Sequence, residues 1–516
     1  MAVIQAGQTL SIAPGLTVVI FPPSNVYING LPTDGLGSVG VGSWGPVNSP
    51  VIGMGNPAQV QAMYGPITNR VRDISTAADV YAQNFVQSMT FVRVTDSTDT
   101  AAQIQLMDVT TPTPVLGAKL TAKYTGIVGN TFTAQVSTGT KTGTYKLTLT
   151  RSGYVPEVWD NISGSGATFW ANLVAAVNSG QPGSAGPSQN FVASVGTSTA
   201  APNTTTAYTA SGGTDGATGV TDTDLLGTDG ITRTGMYALR RTGVQVGNLI
   251  DCATSTTWLA QAQFGLSEGI FFFTADTHGA TIATAGTDLS TAGVDAYSLG
   301  VLSGDYCWYQ DVVNGVNRSL SAATYRAAVQ AATSPEQSAL NKPIFGLIGT
   351  DRSLANAPYA QSEKEQAVQN RVDYIANPSP GGNYFSAQTA LNTSSNSGEN
   401  GDNYTRMTNY VAFTINAAMG YVVGQTQTSG QRRSTRNTLN AFFNNMWKAT
   451  PQMIGDVNNP TSQPWQVVLD SSNNTSASVA LGNEIAAVSV TYLSIVRRFI
   501  VNYMAGQGVV ASVQPG

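Results

Sequence analysis

The chain has 516 residues, enough for roughly two to four domains, and its two cysteines are too few for a disulfide-stapled scaffold. Charged residues make up 10% of the sequence, against about 25% in a typical soluble domain, and the net charge is −5. The densest basic cluster is Arg432, Arg433 and Arg436, which argues against nucleic-acid binding, and one histidine without a C-x-x-C pair argues against a metal site.

The first 34 residues are rich in Gly and Pro and carry one strand-like patch. In this patch Leu16, Val18 and Ile20 recur at every second position. A segment of this composition buries little surface by itself. Residues 1–34 are therefore predicted to form an extended N-terminal arm.

Residues 35–96 are predicted to form a compact β-α-α-β unit. Alternating valines predict a first strand, which ends in a turn at Gly45-Pro46. Asn56 is predicted to cap a short helix that Gly65 closes. Ser75 and Thr76 are predicted to begin a second helix, and a β-branched run predicts the final strand.

Residues 97–220 have a different pattern. Tyr145, Leu147 and Leu149 alternate with polar residues, as in strands that have one exposed face. One helix is predicted over 167–178. We expect a β-rich insertion domain here.

Residues 221–345 alternate between helix and strand patterns, which is typical of an α/β layer. Helices are predicted at Trp258–Phe264, Thr291–Val301 and Ala322–Ala332, and a buried strand at Ile270–Thr274. We expect this segment to complete the sheet begun at 35–96, so that 35–96 and 221–345 form one split α/β domain.

Residues 346–504 are predicted to form a C-terminal core, followed by a C-terminal arm at 505–516. Helices are predicted over 403–423 and 432–449, and strands at Trp465–Leu469, Ala486–Tyr492 and Phe499–Tyr503. The predicted fold class is a multidomain mixture of α/β and α+β.

A serine-hydrolase site is possible on paper. Gly265–Gly269 fits G-x-S-x-G around Ser267, and Asp276 and His278 follow closely. A nucleophile elbow needs a strand before the serine and a helix after it, whereas the predicted order here is the reverse. A helix C-cap at Gly265 explains the glycine without chemistry.

A nucleotide site is also weakly indicated. Gly35–Gly40 fits G-x-G-x-x-G, but it leads into a strand pattern rather than a helix, so a turn is the favoured interpretation. No G-x-x-x-x-G-K-[ST] sequence occurs. We expect no cofactor and no enzymatic activity.

Two sets of residues are candidates for assembly contacts. Strand-like patches near the two chain ends could add to a neighbour's sheet or could pair within their own chain; they are Leu16, Val18, Ile20, Val488, Val490 and Tyr492. Basic residues on the helix predicted over 432–449 could face an acidic partner or simply solvent; they are Arg432, Arg433, Arg436 and Lys448.

Four short motifs, in this order, resemble those of contractile phage tail sheath proteins. Residues 40–51 read GVGSWGPVNSPV, and residues 91–94 read FVRV. Residues 122–130 read AKYTGIVGN, and residues 212–216 read GGTDG. Each motif is weak alone, and their order and spacing carry the resemblance.

The resemblance implies a structural subunit that polymerises helically around a tail tube and contracts to drive the tube through a host envelope. It implies stacked, hexameric rings, terminal arms that add strands to neighbouring copies, and contacts with the tube, baseplate and tail terminator. It further implies assembly in the host cytoplasm and a final place in the virion tail, without nucleic acid or membrane insertion. Another β-rich virion protein, such as a tube or an adhesin, is the main alternative, followed by the hydrolase on Ser267 and His278.

Overall fold

The computed structural model describes residues 2–5, 17–20, 28 and 30–501. The chain divides into two compact units, Leu31–Phe413 and a smaller one made of Met1–Gly30 and Thr414–Gly516. Both helices and strands are present, so the expected mixed α/β class is confirmed. Leu16 and the predicted arm at 505–516 lie outside the described residues.

The elements of the chain are these, in order. The N-terminal segment holds β1 (Ala2–Gln5) and β2 (Thr17–Ile20). The first part of the larger unit holds β3 (Gly35–Gly40), β4 (Val51–Met54), α1 (Pro57–Tyr64), α2 (Ile74–Gln83) and β5 (Ser88–Arg93). Its middle part holds β6 (Ala101–Met107), β7 (Leu116–Thr125), β8 (Thr133–Thr138), β9 (Tyr145–Thr150), β10 (Glu157–Ile162), α3 (Ala167–Ser179), β11 (Phe191–Val195) and β12 (Ala207–Thr209).

The last part of the larger unit holds α4 (Asp222–Leu226), β13 (Val246–Leu249), α5 (Trp258–Glu268), β14 (Phe271–Ala275), α6 (Ile282–Thr291), β15 (Leu299–Leu302), β16 (Cys307–Asp311), β17 (Val316–Leu320), α7 (Ala322–Ala332), β18 (Gly349–Thr350), α8 (Asp351–Leu354), α9 (Gln361–Asn370), β19 (Val372–Asp373), β20 (Ile375–Ala376) and β21 (Ser386–Ala387). Helix α10 (Asp402–Ala418) leads into the smaller unit, which continues with α11 (Ser429–Lys448), β22 (Trp465–Val468), α12 (Ser476–Ala480) and β23 (Ala487–Val490).

A seven-stranded sheet forms the centre of the larger unit, in the order β19-β15-β14-β13-β3-β5-β4. All strands but β4 are parallel. Parallel sheets are covered on both faces, which explains why β14 is apolar at successive positions. Phe271 and Phe273 belong to the core on the side of α2 and α7, and Phe272 belongs to the core on the side of α5. The strands come from two separated parts of the chain.

The residues between β5 and α4 fold outside this sheet, as two antiparallel sheets in the orders β10-β9-β8-β12 and β11-β7-β6. The edge strands β6 and β12 adjoin, because the backbones of Gln103 and Ser211 exchange two hydrogen bonds of 2.8 and 3.0 Å. Ala102, Ile104 and Leu106 are buried, and the glutamines between them are exposed. This alternation gives the insertion one core of its own.

The C-terminal boundary differs from the predicted one at 345–346. The larger unit continues to Phe413, because β19 pairs with β15 in the central sheet and β18 pairs with β16. The smaller unit begins inside α10. In α11, Leu439, Phe442, Phe443 and Met446 are all buried, as their helical spacing predicts.

Three local predictions were wrong. The helix predicted at Thr291–Val301 is instead the end of α6 and the buried strand β15, and Gly293, with a φ of 64°, stops the helix. The cap predicted at Gly265 lies inside α5, which ends at Gly269 in the left-handed region. Helix α2 begins one residue before Ser75, capped by Asp73, whose carboxylate accepts from the Thr76 amide at 2.9 Å.

Two further predictions need correction. The glycines of Gly35–Gly40 form the fully buried strand β3 rather than a turn. A Cβ on Gly40 would lie 2.6 Å from the Arg72 carbonyl oxygen, so close packing explains this glycine. The strand predicted at Phe499–Tyr503 has no regular structure over 499–501, and its last two residues lie outside the described range.

Candidate functional site

The central sheet changes direction between β3 and β13, because successive strands are added outward on either side of this pair. In open α/β sheets the crevice at the carboxyl ends of such strands is the usual ligand site. Here Arg72 and Asp251, which follow α1 and β13, meet there: the Arg72 amide donates to the Asp251 carboxylate at 3.0 Å. Ser321 donates its amide to the same carboxylate at 2.9 Å.

The charges in this crevice are paired with one another. Arg72 Nη2 donates to Asp222 Oδ1 at 2.6 Å, and Asp222 Oδ2 accepts from the Thr254 amide at 2.9 Å. Burial raises the pKa of Asp251. Burial also raises the pKa of Asp222, but the hydrogen bonds from Arg72 and Thr254 outweigh it and lower that pKa overall. At the carboxyl ends of these strands, Arg72, Asp222 and Asp251 therefore bond to the protein's own groups.

The serine-hydrolase candidates are not brought together. Ser267 lies at the end of α5, where its hydroxyl donates to the Phe264 carbonyl at 2.9 Å. His278 lies beyond the other end of β14, and its Nε2 is 2.8 Å from Asp351 Oδ2. The five residues of β14 span roughly 16 Å, which separates the two side chains. The expected order of helix before strand is confirmed.

The four resemblance motifs meet at the junction between the central sheet and the insertion. Arg93, the charged residue of the FVRV motif, is fully buried. Its Nη1 donates to the Gly45 carbonyl at 2.9 Å and to the Thr125 carbonyl at 2.7 Å, and its Nη2 donates to the Asp215 carbonyl at 3.0 Å. Burial lowers the pKa of Arg93 to about 10, so the guanidinium remains charged at neutral pH. One side chain thus holds three separate segments.

The other motifs supply further bonds at this junction. Asn130 and Gly213 bond reciprocally: Asn130 Nδ2 donates to the Gly213 carbonyl at 2.9 Å, and the Gly213 amide donates to Asn130 Oδ1 at 2.8 Å. The Asp215 carboxylate accepts from the Ile127 amide at 2.7 Å and from Arg70 Nη1 at 2.8 Å. The two chain crossings into the insertion are therefore tied to each other and to the sheet domain.

Trp44 completes the junction by reaching from the loop after β3 into the insertion core. Its ring centroid lies 5.5 Å from that of Tyr124 in an edge-to-face contact. Gly126 packs directly on this loop, with a φ of 131°, and a Cβ there would lie 2.0 Å from the Ser43 carbonyl oxygen. The sheet and insertion are thereby joined by packing as well as by hydrogen bonds.

The terminal strand candidates pair within their own chain in this structure. Strand β2, which holds Val18 and Ile20, pairs with β1 in parallel. Val488 and Val490 lie in β23, opposite Val467 and Trp465 of β22. Tyr492 forms an antiparallel bridge with Ile454. Among the residues described, each of these sheets has only two strands.

The segment after β23 carries large apolar side chains that are exposed in the described structure. Val496, Phe499 and Ile500 are 76%, 88% and 77% exposed. No helix or strand is assigned over 493–501. Isolated apolar side chains on a surface are ordinary, whereas several in one short segment make that segment a candidate contact surface.

The four basic candidates on α11 do not form a single stripe. Arg433 and Lys448 are exposed and lie about 60° apart around the helix. Arg432 and Arg436 are half-buried near the apolar face, and Arg432 Nη2 donates to Gln427 Oε1 at 2.9 Å. The outward positive charge of this helix is thus carried by Arg433 and Lys448.

Within residues 30–501 and the two N-terminal strands, no group of three or more His, Cys, Asp or Glu residues is arranged to hold a metal ion. In the same residues, no helix combines the length and hydropathy needed to cross a bilayer.

No protein-family model matches this sequence, and no curated protein matches it. Solved structures do match. A sheath tail protein from Listeria innocua is similar with a TM-score of 0.59 and 14% identity, over 89% of this chain and 94% of that one. A sheath tail protein from Desulfitobacterium hafniense gives a TM-score of 0.56 and 13% identity, over 88% and 93%. This chain has the fold of contractile tail sheath proteins.

The sheath fold extends along nearly the whole chain. The sheath of an extracellular contractile injection system, in its contracted state, matches with a TM-score of 0.54 and 10% identity, over 97% of this chain and 99% of that one. The resemblance predicted from the four motifs is confirmed at the level of the fold. The motifs contain Arg93 and Asp215, but the sequence alone assigned no role to either residue. The available signal was a single arginine within an apolar strand pattern, which indicates a buried charge that needs a partner.

Proposed function

We propose that this chain is the structural subunit of a contractile tail sheath. The observation that carries the proposal is the sheath fold, shared over almost the full length of both chains with an injection-system sheath solved in its contracted state. The subunits polymerise helically, in stacked hexameric rings, around a tail tube, and they contract to drive the tube through a host envelope. An open helical array uses heterologous contacts, in which one surface meets a different surface of the next copy.

Neighbouring copies are linked by strand addition at the smaller unit. A two-stranded sheet is marginal by itself. Among the described residues no third strand borders the β22-β23 sheet, so its outer edges can accept a further strand. In this arrangement β23, with Val488 and Val490, is the resident strand that accepts. The donated strands are the N-terminal arm with Leu16, Val18 and Ile20, and the exposed segment that follows Tyr492. This revises the role first given to Val488 and Val490.

Main-chain strand links suit a sheath that contracts. They are held by backbone hydrogen bonds, so they persist while the bodies they connect rotate. The sheet domain and the insertion move as one body, since Arg93, Asn130 and Trp44 tie them together. The energy for contraction resides in subunit interfaces, and the extended sheath is a kinetically trapped state whose release runs one way.

The remaining partners follow from the sheath role. Arg433 and Lys448 of α11, with Arg432 and Arg436 behind them, face an acidic surface of the inner tube. The ends of the sheath meet the baseplate and the tail terminator. The sheath is assembled in the host cytoplasm and becomes part of the virion tail. It binds no nucleic acid and does not insert into a membrane.

Negative-stain electron microscopy of the purified full-length chain tests this function. Sheath subunits are expected to polymerise into hollow tubes wide enough to enclose a second tube. A chain that stays monomeric across salt and concentration series, or that forms narrow tubes of tail-tube width, would favour another virion protein. Esterase activity that is lost in Ser267→Ala would revive the hydrolase alternative.

A further inference from the structure

The insertion contains a groove where its two sheets separate. Strands β6 and β12 are joined at one end by the paired backbones of Gln103 and Ser211. Beyond the other end, the Asn203 amide donates to the Met107 carbonyl at 3.1 Å. Between these two joints the strands part, over roughly 13 Å of β6. This gap opens into a groove of about 760 Å³, which continues past the first joint along Thr100, Ala101 and Gly212.

The backbone on both sides of the groove is unpaired and directed into it. Main-chain groups of a strand alternate in direction, so Gln105 points the same way as Gln103, toward β12. On the other side, Ala210 donates its amide to the Phe132 carbonyl, directly before β8, so Thr209 points toward β6, as Ser211 does. Within the described structure, neither the Gln105 nor the Thr209 backbone has a protein partner across the gap. Donors and acceptors therefore face the groove from two sides.

The side chains that line the groove are neutral and polar. They include Gln103, Gln105, Thr209 and Ser211, all exposed, together with the ring of Tyr208. The amides of Gln103 and Gln105 project from the same face of β6. No Lys, Arg, Asp or Glu lines the groove. In the part of the chain that the structure describes, these four polar side chains are not engaged by other protein groups.

We propose that this groove binds a neutral saccharide of one to three sugar units. Amide and hydroxyl side chains both donate and accept, which matches the hydroxyls of a sugar. The absence of a lining charge disfavours nucleic acid and anionic ligands. Among the described residues, Gln105 is the one β6 residue between the two joints whose backbone faces the groove, and an inserted peptide strand would need several such partners. A volume of about 760 Å³ is within the range of small-ligand sites. The assignment does not depend on the sheath function.

Binding can be tested with the full-length chain and a panel of neutral oligosaccharides: maltotriose, chitotriose, β-1,4-galactotriose and mannotriose, with tri-galacturonate as the anionic counterpart. An array screen followed by titration calorimetry is expected to find at least one neutral binder. Gln105→Ala should weaken it about tenfold through lost hydrogen bonds, and Thr209→Trp should abolish binding by filling the groove. Gln310→Ala, at an exposed strand position outside the insertion, is the matched control and should leave the affinity unchanged.

Three results would overturn the proposal. They are the absence of millimolar or tighter binding across the neutral panel, binding that neither Gln105→Ala nor Thr209→Trp changes, and equal binding of the anionic trimer. Circular dichroism of each variant separates lost binding from lost folding. Tube formation, scored independently by electron microscopy, distinguishes failure of this proposal from failure of the sheath function.

Discussion

Arg93 donates a 2.7 Å hydrogen bond to the carbonyl oxygen of Thr125, which joins the last strand of the first sheet segment to the end of the first long strand of the insertion. The two residues are 32 positions apart, and the same guanidinium also bonds to the carbonyls of Gly45 and Asp215. A long, planar, always-charged donor is well suited to several carbonyls at once. The position of the insertion on the sheet therefore depends strongly on one buried side chain.

Arg93→Met, which keeps most of the volume but removes the donors, is expected to lower the free energy of unfolding by about 3–5 kcal/mol, because three buried carbonyls lose their partner. Urea unfolding followed by fluorescence measures this. Arg233→Met is the control: its ion pair with Asp229 is long, 3.4 Å, and exposed, and should cost less than about 1 kcal/mol. Equal costs for the two variants would contradict a special role for Arg93.

A pair of glycines tests the close packing at the junction. Gly126 and Gly143 both have positive φ, but only Gly126 has a neighbour where a Cβ would lie. Gly143→Ala should cost about 1–2 kcal/mol from backbone strain alone. Gly126→Ala should cost at least about 2 kcal/mol more, because the Ser43 carbonyl must move. Thermal unfolding of both variants measures the difference between their stability losses. Equal losses would mean that the loop after β3 can move away from an added Cβ without measurable cost.

Asp276, directly after β14, predicts a pH dependence of stability. Burial, with Asp288 nearby, raises the pKa of this carboxyl to about 6 in the folded protein, against 3.8 for an ordinary aspartate. The folded state then binds the proton more tightly than the unfolded state, so protonation stabilises the fold. This stabilisation is fully present below pH 3.8 and is lost as the pH rises through about 6.

Asp276→Asn should therefore have a higher Tm than the parent at pH 7, and the difference should shrink steadily as the pH falls through 6 to 4.5, vanishing only below about pH 3.8. Calorimetric scans across this range check it. Asp96→Asn should give the opposite sign, because hydrogen bonds from Thr98 lower the pKa of Asp96 and favour its charged form. A constant Tm difference for Asp276→Asn between pH 4.5 and 7 would show that this carboxyl does not titrate there.

Charge reversal on α11 tests contact with the tube. The double variant Arg433→Glu/Lys448→Glu changes two exposed positions and should leave folding intact, since surface charges contribute little to stability. Co-sedimentation of assembled sheath with its tube should fall, and the remaining attachment should weaken further with salt. Lys364→Glu, exposed on α9 of the larger unit, is the control. If the double variant attached to the tube as well as the parent does, the proposed contact between α11 and the tube would be wrong.

Local sequence signals predicted the elements that have strong local determinants. Helix α1 is capped by Asn56 at its start and by Gly65 at its end, as expected, and α7 covers Ala322–Ala332 as predicted. Such helices are set by caps and side-chain periodicity, which a single sequence displays. The hydrogen bonds at the junction between the sheet and the insertion could not be predicted in this way. The bonds of Arg93 connect segments 32 to 122 residues apart, and no local pattern encodes which carbonyls a buried guanidinium will meet.

The failures also have physical causes. Short buried strands such as β15 have apolar runs that cannot be told from helix by periodicity, and tertiary burial decides them. The strand β3 has three glycines in six positions, so propensity predicts a turn, yet close packing around Gly40 favours them. The boundary at Phe413 was missed because α10 continues through it without a break in its helical pattern.

Removal of the exposed C-terminal segment tests the sheath account most directly. A chain ending at Ser494 keeps β23 and its pairing with β22, whereas a deletion from residue 487 would also remove that resident strand. Negative-stain electron microscopy of the 1–494 chain, beside the full-length chain under the same conditions, is the measurement. The account predicts a folded protein with unchanged circular dichroism that forms no long tubes, while the full-length chain does. Long tubes from the 1–494 chain, equal in number and length to those of the parent, would contradict it.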